Sequence, residues 1–448
     1  MAPVKILMSA AELGPFVRTG GLGNAVAGLA GALARLGHDV TVTVPGYRDL
    51  EPEGTAVGGS WYRIPDPRLH VLAYRDAAFA RPGIYGPEPG TGYDDNWLRF
   101  GRFARATADL SGDFDVLHLH DAHVGAAALL ASLPTVFTIH NAAHPMLGPL
   151  DEAAALLGVA PEAATLGGAL EWFGSANYLK AGMVGADRVT TVSPGHAVEL
   201  AVPETSFGLS GIVASLAHPI VGILNGIDTT SWDPATDDAL PAPFTATALG
   251  GRQKSRAALL ALAGLSDGVV FGNVGRMARQ KGLGLLEPTI AELVAEGFRL
   301  VLVGNGELDA MVDDWAERYP DAVAHLPYQD SLSRLVSAGA DAYLMPSEFE
   351  PCGLGQLYAM QYGTPPVVRL TGGLADSVPD IDEHDEHGTG LGFRTFEPES
   401  LAKTIRRAMR YHLGLPRLWE RMQVNGMTVD WSWEARAAEY EAVYTAVS

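Results

Sequence analysis

Gly339-Ala-Asp-Ala-Tyr-Leu-Met-Pro-Ser-Glu-Phe-Glu-Pro-Cys-Gly-Leu-Gly-Gln-Leu-Tyr358, followed by Thr371-Gly-Gly-Leu-Ala-Asp-Ser-Val378, is the stretch that decides the fold. Asp341 to Met345 is a short apolar run stopped at once by Pro346, the pattern of a buried strand. Glu348, Glu350, Pro351, Gly353 and Gly355 then make a tight loop into a helix carrying Leu354, Leu357 and Tyr358 on one face. A second strand, Pro366 to Leu370, feeds Thr371, Gly372 and Gly373, which open another helix. Unsatisfied amides and the positive dipole end make such helix starts good phosphate sites. Glu350 would repel phosphate, so its carboxylate is better suited to accept hydrogen bonds from sugar hydroxyls.

Outward from this stretch the same alternation continues. In the C-terminal half, strands are expected at Val269 to Gly275, at Leu300 to Gly304 and near Ala322 to Leu326, with Arg276-Met-Ala-Arg-Gln-Lys281 after the first and Gly304-Asn-Gly-Glu307 after the second. In the N-terminal half, Lys5 to Ser9, a helix over Gly23 to Leu36 and Val40 to Val44 form a βαβ unit, with Arg18-Thr-Gly-Gly-Leu-Gly23 at its strand-to-helix junction. Val26 stands where a dinucleotide fingerprint needs its third small residue, and Pro45 where it needs an acid, so NAD is not the expected ligand. An anion- or sugar-facing turn, with Arg18 as its cation, remains open. Further strands are expected at Asp115 to His120, Thr135 to His140, Arg188 to Val192 and Pro219 to Leu224, and residues 149–184 read as helical. Residues 47–112 hold no motif. The Pro- and Asp-rich stretch Asp233 to Pro243 reads as an interdomain linker.

Strands alternating with helices in both halves predict an α/β protein with two Rossmann-like parallel sheets facing across a cleft. Its 448 residues divide into a first domain over 1–238, a second over 245–430, and a C-terminal helix within 431–448 that begins near Trp431-Ser-Trp-Glu434. A formal charge of −21 argues against nucleic acid or an anionic membrane as partner, while leaving room for a local basic pocket. One cysteine, Cys352, excludes an intrachain disulfide and suits a reducing compartment. The start of the chain leads straight into an apolar strand without a signal-peptide pattern, so a cytoplasmic protein is expected. His118, His120, Asp121 and His123 admit a metallohydrolase as a rival, although their spacing does not match a metal-ligand pattern and no further cluster completes one.

Several longer motifs are specific: Leu179-Lys-Ala-Gly182, Thr191-Val-Ser-Pro194, Leu224-Asn-Gly-Ile-Asp228, Gln280-Lys-Gly-Leu283, Glu350-Pro-Cys-Gly-Leu354 and Thr371-Gly-Gly-Leu-Ala-Asp376. With Arg276 and the turn around Gly20, they make nearly the whole chain resemble the glycogen/starch synthase family of nucleotide-sugar glycosyltransferases. That resemblance implies the GT-B fold, with the acceptor on the N-terminal domain, the donor on the C-terminal one, and the last helix crossing back onto the first domain. It implies transfer of a hexose, with retention, from a nucleoside-diphosphate donor, without metal or other cofactor. Arg276 and Lys281 would grip the diphosphate, Glu350 would hold the donor sugar hydroxyls, His140 would sit beside the sugar and Asp121 would orient a hydroxyl. Arg18, Gly20, Gly21, Asn225, Tyr328, Cys352, Gly353, Leu354, Gly355, Thr371, Gly372 and Gly373 would complete the donor site, Tyr328 at the nucleotide base.

The chain also departs from the family pattern. Arg18 replaces a lysine, Ala122 an aromatic, His144-Pro145-Met146 a Tyr-Gln-Gly, Glu348 an arginine and Gly355 a threonine. These changes gather on the sugar and acceptor side. They favour an enzyme diverged to a small acceptor, a sugar or a pseudo-sugar such as a cyclitol, over the alternative of a glycogen synthase elongating α-1,4-glucan from ADP-glucose. A GT-B protein kept only for binding is the remaining alternative.

Overall fold

Where an apolar run is buried on both faces it must pair in the middle of a sheet, and the chain holds two such sheets. The computed structural model describes residues 2–48, 50, 56–88 and 90–447. It divides into one unit of residues 1–226 with 433–448, and a second of residues 227–432.

In the first unit the strands are β1 (Lys5–Ser9), β2 (Asp39–Pro45), β3 (Ala56–Gly58), β4 (Trp61–Ile64), β5 (His70–Tyr74), β6 (Val116–His120) and β7 (Thr135–Ile139). They are followed by β8 (Leu147–Pro149), β9 (Glu171–Trp172), β10 (Ser175–Asn177), β11 (Arg188–Thr191) and β12 (Val221–Gly222). Nine of them form one sheet in the order β12-β11-β7-β6-β1-β2-β5-β4-β3. Pairing is parallel from β12 through to β5, and β4 closes it antiparallel on β5 and β3. The hairpin extension β3–β5 arises from a region without a sequence motif. Residues 149–184, expected as helix, are instead a helix Leu150–Leu157, the small antiparallel sheet β8-β10-β9 and a helix Tyr178–Gly185. Gly158, Gly167 and Gly174 have positive φ and break the helical run.

The second unit has β13 (Val269–Val274), β14 (Phe298–Val303), β15 (Val323–Leu326), β16 (Ala342–Met345), β17 (Pro366–Arg369) and β18 (Leu391–Phe393), all parallel in the order β15-β14-β13-β16-β17-β18. The stretch expected as a linker, 233–243, lies within this unit. The Asp237 carboxylate accepts from Arg334 Nη1 at 2.8 Å and from the Tyr362 hydroxyl, and Leu240 and Phe244 bury against Tyr362. The chain enters and leaves the unit side by side, where Ile227 N donates to Trp431 O at 2.8 Å. Charge pairing and apolar contact turn a linker-like composition into a strap.

The last helix, Trp433–Thr445, belongs to the first unit and buries Trp433, Ala437, Tyr440, Val443 and Tyr444 there. It packs on the helix Gly21–Arg35, where a Cβ on Gly28 would lie 2.0 Å from Trp433 Nε1, so only glycine lets the indole sit on the backbone. Trp433→Ala should therefore destabilise the first unit by about 3–5 kcal/mol, read as an earlier denaturant midpoint for its unfolding. An unchanged midpoint would mean that the helix adds nothing to that core.

Candidate active site

Because strands β12 to β5 of the first sheet and all strands of the second are parallel, the loops after them gather at one carboxyl edge per unit, and every candidate residue lies there. Arg18, Gly20 and Gly21 follow β1, Asp121 follows β6, His140 follows β7 and Asn225 follows β12. Arg276 and Lys281 follow β13, Tyr328 follows β15, Glu350 to Gly355 follow β16, and Thr371 to Gly373 follow β17.

On the second unit the loops are zipped together by close backbone approaches that only glycine allows. A Cβ on Gly282 would lie 2.0 Å from Pro346 O, one on Gly304 1.9 Å from Gly275 O, and one on Gly373 2.3 Å from Cys352 O. Gly373 N donates to Glu350 O at 3.0 Å, and Glu348 N donates to Gln280 O at 2.8 Å. Four loops, those after β13, β14, β16 and β17, are thereby fixed relative to one another. On this frame Lys281 Nζ reaches Glu350 Oε2 at 2.5 Å, and Ser347 Oγ donates to the same oxygen at 3.1 Å. Arg276 is exposed, and its guanidinium makes no hydrogen bond or ion pair with any described residue. Tyr328 is half exposed, with its hydroxyl donating to Asp330 at 2.6 Å. Cys352 and Thr371 are buried, as is Gln356, whose Nε2 donates to Cys352 O at 3.0 Å and ties the loop to its helix. The helices opened by Gly355 and Gly372 are only 7 and 6 residues long, so the side-chain cations carry more of the local positive charge than the dipoles do.

On the first unit Asp121 sits at φ 67° and ψ 174°, a region that side-chain-bearing residues rarely occupy. Its Oδ1 accepts from His140 N at 3.0 Å and Asn141 N at 3.2 Å, so it holds the chain that carries His140. Burial pushes its carboxyl up to about 7, against the pull of those two amides. His140 Nε2 is 3.0 Å from His120 Nδ1, and burial lowers the His140 imidazole to about 3. Both ring nitrogens of His118 are engaged, by Tyr444 Oη at 2.8 Å and Thr138 Oγ1 at 2.7 Å, so this histidine is a packing group beneath the last helix. His123 stacks on Tyr85. The histidines that suggested a metal cluster thus divide into separate tasks, and no group of His, Cys, Asp or Glu among the described residues is arranged to hold a metal ion.

Glu12 was not legible in the sequence. It is buried, and its carboxylate accepts from Thr19 N at 2.8 Å, Thr19 Oγ1 at 2.9 Å, Gly20 N at 3.3 Å and the Tyr85 hydroxyl at 2.6 Å. It thereby shapes the glycine turn, in which Arg18, Gly20 and Gly21 are exposed and a Cβ on Gly20 would meet nothing within 4 Å. Its only sequence signal is an acid set in the apolar run that follows β1. Ala122, which stands where the family pattern has an aromatic, is 1% exposed and packs in the core. Glu348 is exposed. Lys180 of the Leu-Lys-Ala-Gly motif is buried and donates to Glu171 O at 2.6 Å, a structural role.

Comparison with known proteins shows the family. Residues 5–215 match the starch synthase catalytic domain and residues 264–422 match the glycosyl transferases group 1. A glycogen synthase of Anaeromyxobacter sp. (strain Fw109-5) is 38% identical, over 99% of this chain and 100% of its own. The chain belongs to the glycogen/starch synthase family. A glycogen synthase of Alkalilimnicola ehrlichii is 39% identical over 98% of both chains. The catalytic domain of starch synthase IV from Arabidopsis thaliana, solved bound to ADP and acarbose, is 30% identical, with a TM-score of 0.89 over 100% of this chain and 99% of that one. The fold is accordingly GT-B, and the protein is a nucleotide-sugar glycosyltransferase. No helix among the described residues is long and apolar enough to cross a membrane.

The buried Asp121 gives a signed pH dependence. A folded carboxyl at about 7 against an ordinary 3.8 means that the folded state holds the proton more tightly, so this group lowers stability progressively as pH rises between those values. Asp121→Asn keeps an oxygen for both amides without the buried charge. It should unfold at a higher temperature than the wild type above about pH 7, with the gap closing toward pH 3.8; a gap independent of pH would overturn this assignment.

Proposed function

We propose that this enzyme is a glycogen synthase, which extends an α-1,4-glucan by transferring glucose from ADP-glucose with retention of anomeric configuration. The observation that carries this reading is the pair Arg276 and Lys281 after β13, on a glycine-zipped frame, in a chain similar over its full length to glycogen synthases. The starch synthase solved with ADP supports the choice of nucleotide.

Departure of a nucleoside diphosphate leaves negative charge on its phosphate oxygens, and fixed cations stabilise that charge without reorganising. Arg276 and Lys281 supply two such charges, so no metal ion is required by this scheme. Glu350 accepts hydroxyls of the donor sugar while tethering Lys281, which couples sugar recognition to the cation. His140, neutral at physiological pH, offers its carbonyl or its ring to the developing positive charge at the anomeric carbon. Asp121 acts by holding the backbone of His140. Thr371 to Gly373 and Cys352 to Gly355 shape the phosphate side, Tyr328 meets the base, and Arg18, Gly20, Gly21 and Asn225 complete the sugar side.

The small-acceptor reading rests on the substitutions at Arg18, Ala122, His144 to Met146, Glu348 and Gly355. It is the weaker of the two, since Ala122 is enclosed in the core and the full-length relatives are named glycogen synthases. Radiolabelled ADP-glucose with glycogen or a maltooligosaccharide decides between them. Label should enter lengthening, amylase-sensitive chains in the presence of EDTA; label entering only a small sugar or cyclitol would overturn glucan elongation.

Arg276→Ala and Lys281→Ala should each lower kcat by about 100-fold or more, roughly 3 kcal/mol of lost transition-state stabilisation, with the fold intact by circular dichroism. Near-normal turnover in both variants would mean that the diphosphate binds elsewhere.

A further inference from the structure

His325 stands on β15 with its side chain 9% exposed and both ring nitrogens engaged. Its Nε2 meets the Gly304 carbonyl at 2.9 Å, and its Nδ1 meets Asp313 Oδ1, on the helix Asp309–Arg318, at 2.7 Å. Carbonyl and carboxylate oxygens are acceptors only, and a neutral imidazole has a single N–H. Both contacts are therefore hydrogen bonds only when the ring carries two protons and a positive charge. Asp309 Oδ1, 3.8 Å from Nε2, sets a second carboxylate beside that charge. Of the other charged groups on this loop and helix, Glu307 pairs with Arg279, Asp314 pairs with Arg318, and Glu317 is exposed. β14, the strand paired with β15, sets the uncharged Leu302 opposite His325. What the ring holds is the loop after β14, and that loop is fastened to the basic one after β13. Met277 N donates to Asn305 O at 3.0 Å and Leu308 N donates to Met277 O at 2.9 Å, so Met277 is fixed through both its backbone groups. Arg279 N donates to Glu307 Oε1, and Gly306 N donates to Asp309 Oδ1 at 2.8 Å. Arg276 and Lys281 flank these two anchored residues.

We propose that His325 is a positioning residue for the candidate site of the second unit: its charged ring joins Gly304 to Asp313 and so fixes the loop on which the segment Arg276 to Lys281 rests. Loss of one proton sets a lone pair against an acceptor at one of the two contacts, and leaves Asp309 and Asp313 without the cation between them. The loop then loosens, and the grip on a donor diphosphate weakens with it. Histidine is the side chain that changes charge between about pH 5 and 8, so this link couples donor binding to pH. The effect on the donor rests on the proposed role of Arg276 and Lys281 as diphosphate ligands; the effect on the loop does not.

Asp313→Asn separates charge from packing. An asparagine can turn its amide toward Nδ1 and donate, so a neutral ring keeps both contacts, one accepted and one donated. ADP affinity by titration calorimetry, and hydrogen-exchange protection over residues 275–281 and 304–309, are read at about pH 6 and about pH 8.5 for wild type, Asp313→Asn and His325→Gln. Ratios taken at one pH cancel the titration of ADP itself. At the higher pH the wild type should bind ADP about threefold or more weakly than Asp313→Asn and be less protected over both segments, while at the lower pH the two should agree within about twofold. His325→Gln, which carries no charge, should match the wild type at the higher pH and fall about threefold or more below it at the lower. Protection in the wild type that keeps the same ratio to Asp313→Asn at both pH values would overturn the positioning role. Protection that follows pH, with ADP affinity that does not, would leave His325 holding the loop and defeat the reading of Arg276 and Lys281 as diphosphate ligands.

Discussion

Backbone lying directly on backbone is the constraint on which the candidate site of the second unit depends. Gly282 against Pro346, Gly304 against Gly275 and Gly373 against Cys352 each bring main chain closer than a Cβ permits. The consequence is a frame of loops with little freedom, on which Arg276 and the Lys281–Glu350 pair are carried. Electrostatic stabilisation of a leaving group works through groups oriented before the reaction begins, so under the proposed function this rigidity serves the chemistry. Of the glycines read as phosphate-facing, Gly373 is one that lets the loops meet.

The first unit solves a different problem. Its central strands end in buried polar groups, and each must be satisfied or neutral. The histidines meet this by staying uncharged, with burial holding His118, His123 and His140 down at about 3. His118 bonds across to Tyr444, so the last helix is tied to the sheet by a polar contact as well as by Trp433. Asp121 is the costly member, strained and buried, and it spans the end of β6 and the residues after β7. Strain of this kind persists where the surroundings over-determine it, and it clusters at functional positions.

The departures from the family pattern sort by environment. Ala122 is taken up by packing in the core, and Glu348 points its charge to solvent while its backbone still joins Gln280. Pro145 and Met146 dock on the start of the helix Tyr178–Gly185 through their carbonyls, which accept from Leu179 N at 3.1 Å and Tyr178 N at 3.2 Å. Counting substitutions around a motif overstates change at a site, because it cannot tell a wall residue from one that only supports it.

By itself the sequence determined the parallel cores of the two sheets and most of their strands, and it pointed to the candidate residues of the second unit. Strands buried on both faces leave unmistakable apolar runs, as in Ile6 to Met8 or Leu300 to Val303, and Arg276, Lys281 and Glu350 stand directly after such runs. Tertiary structure decided what depends on partners far along the chain. Strands β3, β4, β9, β10 and β18 are short and gain their definition from neighbours. His118 became a packing residue through a tyrosine 326 positions away, and Glu12 a turn-shaping one through Tyr85, 73 positions away. Asp237, read as linker, became an anchor through Arg334 and Tyr362. Local periodicity is written in adjacent residues and survives in the sequence; the pairing of buried polar groups is set by which loops the sheet brings together, and only the folded chain contains that information.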